Sequence, residues 1–253
     1  MPGERTSAGD PARTLALLWR DPAVVPRHGP RQGLSIDAVV AAATQVADRE
    51  GLEAVTMRRV AKALGVAPMT LYTYVPGKAE LLDLMLDAAY TSMPRRDASG
   101  QPWRQRLAAI ADENKALFDN HPWAPTISTT RPPLGPGMMA KYEHELSALD
   151  GLGLDDVLMD ASLTYLLSFV QAWARAAADA RAVQQDTAMD DSEWWATSGR
   201  LLARVLDETA YPIATRVGSA AGAAHGTAYS PGHAYTFGLE RVLAGLSQLI
   251  DSN

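Results

Sequence analysis

Residues 56–78 read TMRRVAKALGVAPMTLYTYVPGK, and their spacing decides the fold. Thr56 is a capping residue set directly before Met57, Val60, Ala61 and Leu64, which fall on one face of a helix, while Arg58, Arg59 and Lys62 fall on the other. Gly65 stops that helix. After a turn of very few residues, 67–74 has room for one short helix before Pro76 and Gly77 break the chain. Helix, tight glycine turn and short helix make a helix-turn-helix, here over about 56–75. Its first helix braces across the DNA backbone and its second puts N-terminal side chains into the major groove.

The side chains suit that task. Met69, Thr70 and Thr73 are short and mixed, able to meet thymine methyls or to make one hydrogen bond. Tyr72 and Tyr74 offer hydroxyls to phosphates, and Lys78 adds its charge to the start of the next helix, where phosphate is attracted. No acidic residue lies between Glu53 and Glu80, so Arg58, Arg59, Lys62 and Lys78 give the window +4 within a chain of net charge −6. The competing reading of these charges is a solvated basic helix in a generic bundle.

Outward from the motif the pattern stays helical. Ile36, Val39, Val40, Ala43, Val46 and Ala47 predict a helix between Ser35 as cap and Gly51 as stop. Leu81, Leu82, Met85, Leu86 and Ala89 predict a fourth helix, ended by Pro94. Residues 1–33, with five prolines, read as an irregular extension. Within it Arg27 and Arg31 can serve a disordered tail or a minor-groove arm. Beyond a linker at 95–102, helices are expected at 103–120, 138–149, 155–181, 192–209 and 235–250. The proline-rich stretch 121–137 leaves room for one turn at most, and the Ala-, Gly- and Ser-rich stretch 217–232 reads as a flexible connection. The 155–181 segment is apolar on almost every side, as a helix with several packing partners is. With no alternating strand pattern, the fold class is all-α. A three-helix helix-turn-helix domain at 34–94 precedes a larger helical ligand-binding and dimerisation domain at 102–253.

The 253 residues include 47% hydrophobic and 21% charged side chains, the mix of an ordinary globular protein. The excess of 29 Asp+Glu over 23 Lys+Arg argues, read alone, against a nucleic-acid binder. It is segregated: residues 1–90 carry ten of each, so the whole imbalance lies beyond them. The absence of Cys excludes disulfides, thiolate zinc sites and a cysteine nucleophile, and fits a cytoplasmic location. The longest apolar run, 161–174, reads as too short and too polar to span a bilayer, and no export signal is expected. A small all-α enzyme is the rival class, but no nucleophile elbow, P-loop or H-E-x-x-H motif supports it.

Residues 43–90 resemble the N-terminal DNA-binding domain of the TetR family of bacterial repressors. The resemblance rests on Gly51-Leu52, Thr56-Met57-Arg58, Val60-Ala61, Leu64-Gly65-Val66, Thr70-Leu71-Tyr72, and Lys78 with Leu81-Leu82. Residues 131–136, 165–172 and Phe237-Gly238-Leu239-Glu240 with Leu246 are similar, more loosely, to the C-terminal domain of tetracycline-repressor-like members. This implies a homodimeric, ligand-responsive regulator of double-stranded operator DNA, by default a repressor, with no cofactor and no metal. Carried over by position, Thr56, Arg58 and Arg59 belong to the DNA-contacting set; Pro68, Met69, Thr70 and Thr73 face the groove, and Tyr72, Tyr74 and Lys78 hold the backbone. Ala67 departs from the pattern, since many members carry a capping Ser there, and Tyr74 stands where His or Phe is common. The resemblance also implies a cavity in the C-terminal half for a largely apolar or aromatic effector, with candidate lining from Phe118, Trp123, Met138, Met139, Tyr142, Tyr165, Phe169 and Trp173. His121 and His144 are the polar handles; His121 can instead cap a helix, and the Glu143-His144-Glu145 cluster reads as a solvated face. Dimerisation is expected through 155–181 and 235–250 packed as a four-helix bundle. The alternative is a DNA-binding module whose C-terminal domain only dimerises or binds a protein partner.

Overall fold

Side-chain caps mark where the first helices of the head begin. In the computed structural model, which describes residues 5–23 and 34–251, Ser35 Oγ accepts the Ala38 N–H at 3.1 Å and opens a helix, Ile36–Glu50, labelled α2 because a helix precedes it. Thr56 Oγ1 accepts the Arg59 N–H at 3.1 Å and opens α3, Met57–Leu64. Gly65 ends α3 at φ 66°, a left-handed conformation that glycine adopts without steric cost. The short α4, Pro68–Leu71, and the longer α5, Lys78–Ser92, follow. Val39, Val40 and Ala43 of α2, Val60 and Ala61 of α3, Leu71 of α4 with Val75 after it, and Leu81, Leu82 and Met85 of α5 are all buried and form the core of this head.

The rest of the chain is helical as well. Helices α6 (Trp103–Asn120), α7 (Pro136–Ser147), α8 (Asp156–Thr187) and α11 (Pro231–Ile250) form the body, in which α8 packs against α6 and α11. Among the described residues there is no strand, only an isolated bridge between Arg5 and Ser128. Head and body meet along α5 and α7. A Cβ at Gly137 would sit 2.0 Å from the Asp87 carbonyl oxygen and 2.4 Å from Thr91 Oγ1, so the two backbones meet where no other side chain fits. Asp87 Oδ1 accepts the Met138 N–H at 2.8 Å across the same crossing.

Four expectations change. The first concerns residues 1–33, read as an irregular extension. Residues 5–23 of that stretch are ordered around a helix, α1 (Pro11–Leu18), while Arg27 and Arg31 lie outside the described residues. Asp10 caps α1 by accepting the Ala12 and Arg13 N–H groups at 2.9 and 3.1 Å. Pro11, which looks like a breaker, stands at the first helical position, where a missing N–H costs nothing. Leu17 and Leu18 are buried, Thr6 Oγ1 donates to the carbonyls of Ser128 and Arg131 at 3.1 and 2.5 Å, and Trp19 Nε1 donates to the Leu134 carbonyl at 2.8 Å. The Ser7 N–H reaches Asp83 of α5 at 2.9 Å and Arg20 pairs with Asp37 of α2 at 2.5 Å, so the segment straps the head to loop 128–134.

Second, the stretch expected as a flexible connection at 217–232 is largely helical. Helix α10 spans Pro212–His225, because its alanines favour helix and its small residues let Trp195 lie flat on it. A Cβ at Gly222 would sit 2.8 Å from the Trp195 indole. Helix α9 (Asp191–Leu202) ends well before the expected 209, and neither α9 nor α10 has a buried residue. Third, α8 is long and apolar enough, by length and composition, to cross a membrane, which the shorter run 161–174 did not suggest. Here Leu163, Leu166, Val170, Trp173, Ala174 and Ala177 are buried in the protein core. Yet α8 is not covered all round, since Val157, Tyr165 and Val183 are exposed. Fourth, 143–145 is no solvated face: Glu145 is buried, and His144 Nε2 lies 2.8 Å from Glu113 Oε2. Only Glu143 is exposed.

Burial of Asp83 beneath the strap has a measurable consequence. Desolvation pushes its pKa up to about 6, against the opposing pull of the Ser7 N–H. An unfolded Asp ionises near pH ~3.9, so the folded state keeps the proton over a window in which the unfolded state has lost it. The Asp83 contribution to stability is therefore present at low pH and is lost as pH rises from about 4 through about 6. Asp83→Asn keeps an acceptor for Ser7 and removes that loss. Thermal melts should place the variant above the unsubstituted protein at pH 7.5, with the gap closing by pH 4.5.

Candidate DNA-reading head and effector cavity

The head presents α4 by anchoring its back. Leu71 and Val75 are wholly buried, which turns Pro68, Met69, Tyr72 and Thr73 outward; Met69 is 75% exposed and Thr70 half-buried. Thr56 and Arg58 are exposed at the start of α3, with Lys62 a turn further on, while Lys78 is half-buried at the start of α5. The expected groove-facing and backbone-facing residues are thus exposed or half-buried, with two corrections. Arg59 is engaged by Glu50 of α2 through Nε to Oε2 at 3.0 Å and a second contact from Nη2 to Oε1. That hydrogen-bonded guanidinium holds the Glu50 carboxyl below its usual range. Tyr74 points inward: it is buried, and its hydroxyl has no hydrogen-bond partner among the described residues. It sits two residues after Tyr72, so on a tight turn the two rings take opposite sides.

A cavity of about 480 Å³ lies among α5, α6, α7 and α8. Of the expected lining residues, Phe118, Met138, Met139 and Tyr142 are there, joined by Tyr90, Leu134, Leu163 and Leu167. The other four, Trp123, Tyr165, Phe169 and Trp173, and the two histidines are elsewhere. Tyr165 is exposed on α8, and Phe169 and Trp173 pack on Tyr235 of α11 with ring centroids 6.0 and 4.9 Å away. Trp173 Nε1 is held by the Pro231 carbonyl at 2.7 Å. His121 Nδ1 and Trp123 Nε1 both meet Asp48 Oδ1 of α2, at 2.9 and 2.6 Å, so this pair ties the end of α6 to the head. His144 likewise lies outside the cavity, against Glu113.

Sequence reasoning missed the polar floor of the cavity, made by Lys141, Glu145 and Asn114. Lys141 and Glu145 stand four residues apart on α7, which from sequence looks like an ordinary exposed ion pair. Tyr90 falls inside the expected head domain, 34–94, yet it lines the cavity, and burial raises its pKa above the usual range. Among the described residues no group of three or more His, Cys, Asp or Glu is placed to hold a metal.

The missing cap on α4 gives a direct test of the head's stability. Ala67 has the extended backbone of an N-cap residue, φ −69° and ψ 142°, but no side-chain acceptor. Ala67→Ser should raise unfolding stability by about 1 kcal/mol in urea titrations, whereas no gain would mean that the short helix is held by Leu71 and Val75 alone.

Comparison with known proteins agrees with this geometry. The model described as bacterial regulatory proteins, tetR family, matches residues 39–85, and that of the tetracyclin repressor-like C-terminal domain matches 96–250. The chain is 39% identical over 249 residues to the HTH-type transcriptional repressor DrrR1 of Streptomyces coeruleorubidus, covering 98% of this chain and 89% of that one. ActR of Streptomyces coelicolor in complex with actinorhodin superposes with a TM-score of 0.71 at 27% identity, covering 85% of this chain and 96% of ActR. The apo form of ActR gives a TM-score of 0.68. The chain belongs to the TetR family of bacterial regulatory proteins, and it is a DNA-binding transcription regulator rather than an enzyme.

Proposed function

We propose that the protein is a repressor that holds a palindromic operator as a homodimer and lets go when a small, largely apolar effector fills the cavity. One observation carries the reading: α5 begins beside the reading surface at Lys78 and reaches the cavity wall at Tyr90, so one rigid element belongs to both sites. Asp87 of the same helix holds the first turn of α7, which supplies Met138 and Met139 to the cavity. The Asp48 contacts to His121 and Trp123 make a second tie between α2 and the end of α6. An occupant that shifts α7 must therefore tilt the head. Release follows when the favoured tilt no longer matches two half-sites about one DNA turn apart. The repressor named among the relatives and the ligand-bound ActR support this reading over a C-terminal domain that only dimerises. Such a regulator works in the cytoplasm, where its operator is.

The dimer is built on α8 and α11 in this reading. Val157 and Tyr165 on α8, with Phe237 and Leu249 on α11, leave apolar side chains exposed on a single copy. The groove-facing set is Pro68, Met69, Thr70 and Thr73, flanked by Thr56, Arg58, Tyr72 and Lys78. Arg59 acts chiefly by bracing α3 on Glu50.

Selection of bound fragments from genomic DNA should return a two-fold symmetric site. On that site Arg58→Ala should weaken binding about tenfold and lower the salt slope by about 1, as loss of one phosphate contact does. Arg59→Ala should change the slope far less, because Glu50 already occupies its charge. Equal slopes for the two variants would contradict the assignment.

A further inference from the structure

The floor of the cavity carries charge in a mostly apolar lining, to which Asp160, accepting the Tyr142 hydroxyl at 2.7 Å, adds a second carboxylate. Lys141, Glu145 and Asn114 are 5%, 0% and 1% exposed, and all three line the cavity. Lys141 Nζ donates to both oxygens of Glu145 at 2.6 and 2.8 Å. Asn114 Nδ2 donates to Glu145 Oε1 at 2.6 Å and to the Ile110 carbonyl at 3.0 Å. An ammonium has three donors. Two are committed to Glu145, and among the described residues the third meets no acceptor, only the Tyr90 ring with its centroid 5.3 Å from Nζ. As a purely structural device a buried ion pair is no better than two apolar side chains of the same volume, because desolvation offsets the attraction. A donor left over at the floor of a cavity has a use once a ligand brings an acceptor.

Resting on the reading of this cavity as the effector site, we infer that Lys141, held by Glu145 and Asn114, recognises a carbonyl oxygen. The effector is thus an uncharged, largely apolar molecule that inserts a ketone, quinone or amide oxygen toward Lys141 Nζ. Charge decides among the alternatives. Glu145 already neutralises the ammonium, so a carboxylate would set a second anion on one cation inside a poorly solvated site. An amine at Lys141 would face a donor with donors, and the other carboxylate of the lining, Asp160, is already engaged by the Tyr142 hydroxyl. A plain hydrocarbon would leave the third N–H buried without a partner, and that omission costs about as much as a lost hydrogen bond to a charged group. A carbonyl accepts it and brings no net charge.

Four molecules of one shape separate these cases: fluorenone, fluorene, fluorene carboxylate and aminofluorene, titrated calorimetrically into the full-length protein. Fluorenone should bind tighter than fluorene by roughly tenfold or more, with the carboxylate and the amine both weaker than the ketone. In Lys141→Met combined with Glu145→Met, which strands no charge, fluorene should still bind and the ketone's advantage should vanish. Equal binding of fluorene and fluorenone to the unsubstituted protein overturns the inference and leaves the effector cavity standing. A carboxylate tighter than the ketone, or a ketone preference that survives the double substitution, overturns it as well. Should the double variant fail to fold, the ranking on the unsubstituted protein decides alone. If none of the four binds, the reading of the cavity as the effector site falls together with the inference.

Discussion

The close approach of α5 and α7 is the constraint on which the rest depends. Glycine at 137 lets the α7 backbone come down onto the Asp87 carbonyl, and Asp87 then fastens the adjoining Met138 amide. With no side chain between them, the two helices cannot slide independently. One side of that joint is the helix that carries Lys78 and closes the head core through Leu81, Leu82 and Met85; the other supplies the cavity with Met138, Met139, Tyr142 and its charged floor. Packed interiors transmit displacement because they hold few voids to absorb it. The strap of residues 5–20 spans the same joint from outside, from Asp83 and Asp37 in the head to loop 128–134 beside the cavity.

Much of this was legible in the chain because its signals were local. Thr56 before an apolar stripe, Gly65 at the turn and the cap Ser35 are each satisfied by neighbours within a few residues, and the expected helix 103–120 matches α6. What escaped depends on distant partners. Pro11 looks like a breaker until Leu17 and Leu18 are seen to dock, and α10 looks like a linker until Trp195 is found lying on Gly222. Tyr74 and Trp123 carry the right chemistry for a phosphate and for an aromatic ligand. Burial claims the first and Asp48 the second.

Charge shows the same division. The pattern places a +4 window in an acidic chain, and the structure narrows its free part, since Arg59 is spent on Glu50 while Arg58 and Lys62 stay exposed. The body holds the converse: Lys141 and Glu145 look like a solvent pair at their spacing and are instead the charged floor of an apolar cavity. Spacing along a helix fixes which residues meet, and only the packing of the next helix tells whether water meets them too.

The joint between α5 and α7 can be tested without knowing the effector. Because the chain has no Cys, Met69→Cys takes a single nitroxide label at an exposed position on the reading surface. In the proposed homodimer, pulsed electron resonance should give a separation that includes the half-site spacing of about 35 Å. Adding Gly137→Ala, which wedges a methyl group against Asp87, should move that distribution away from the operator spacing, and in the unlabelled protein with Met69 intact the same substitution should weaken operator binding. Superimposable distributions from two folded dimers would mean that the head does not follow α7, and the account of release would fail.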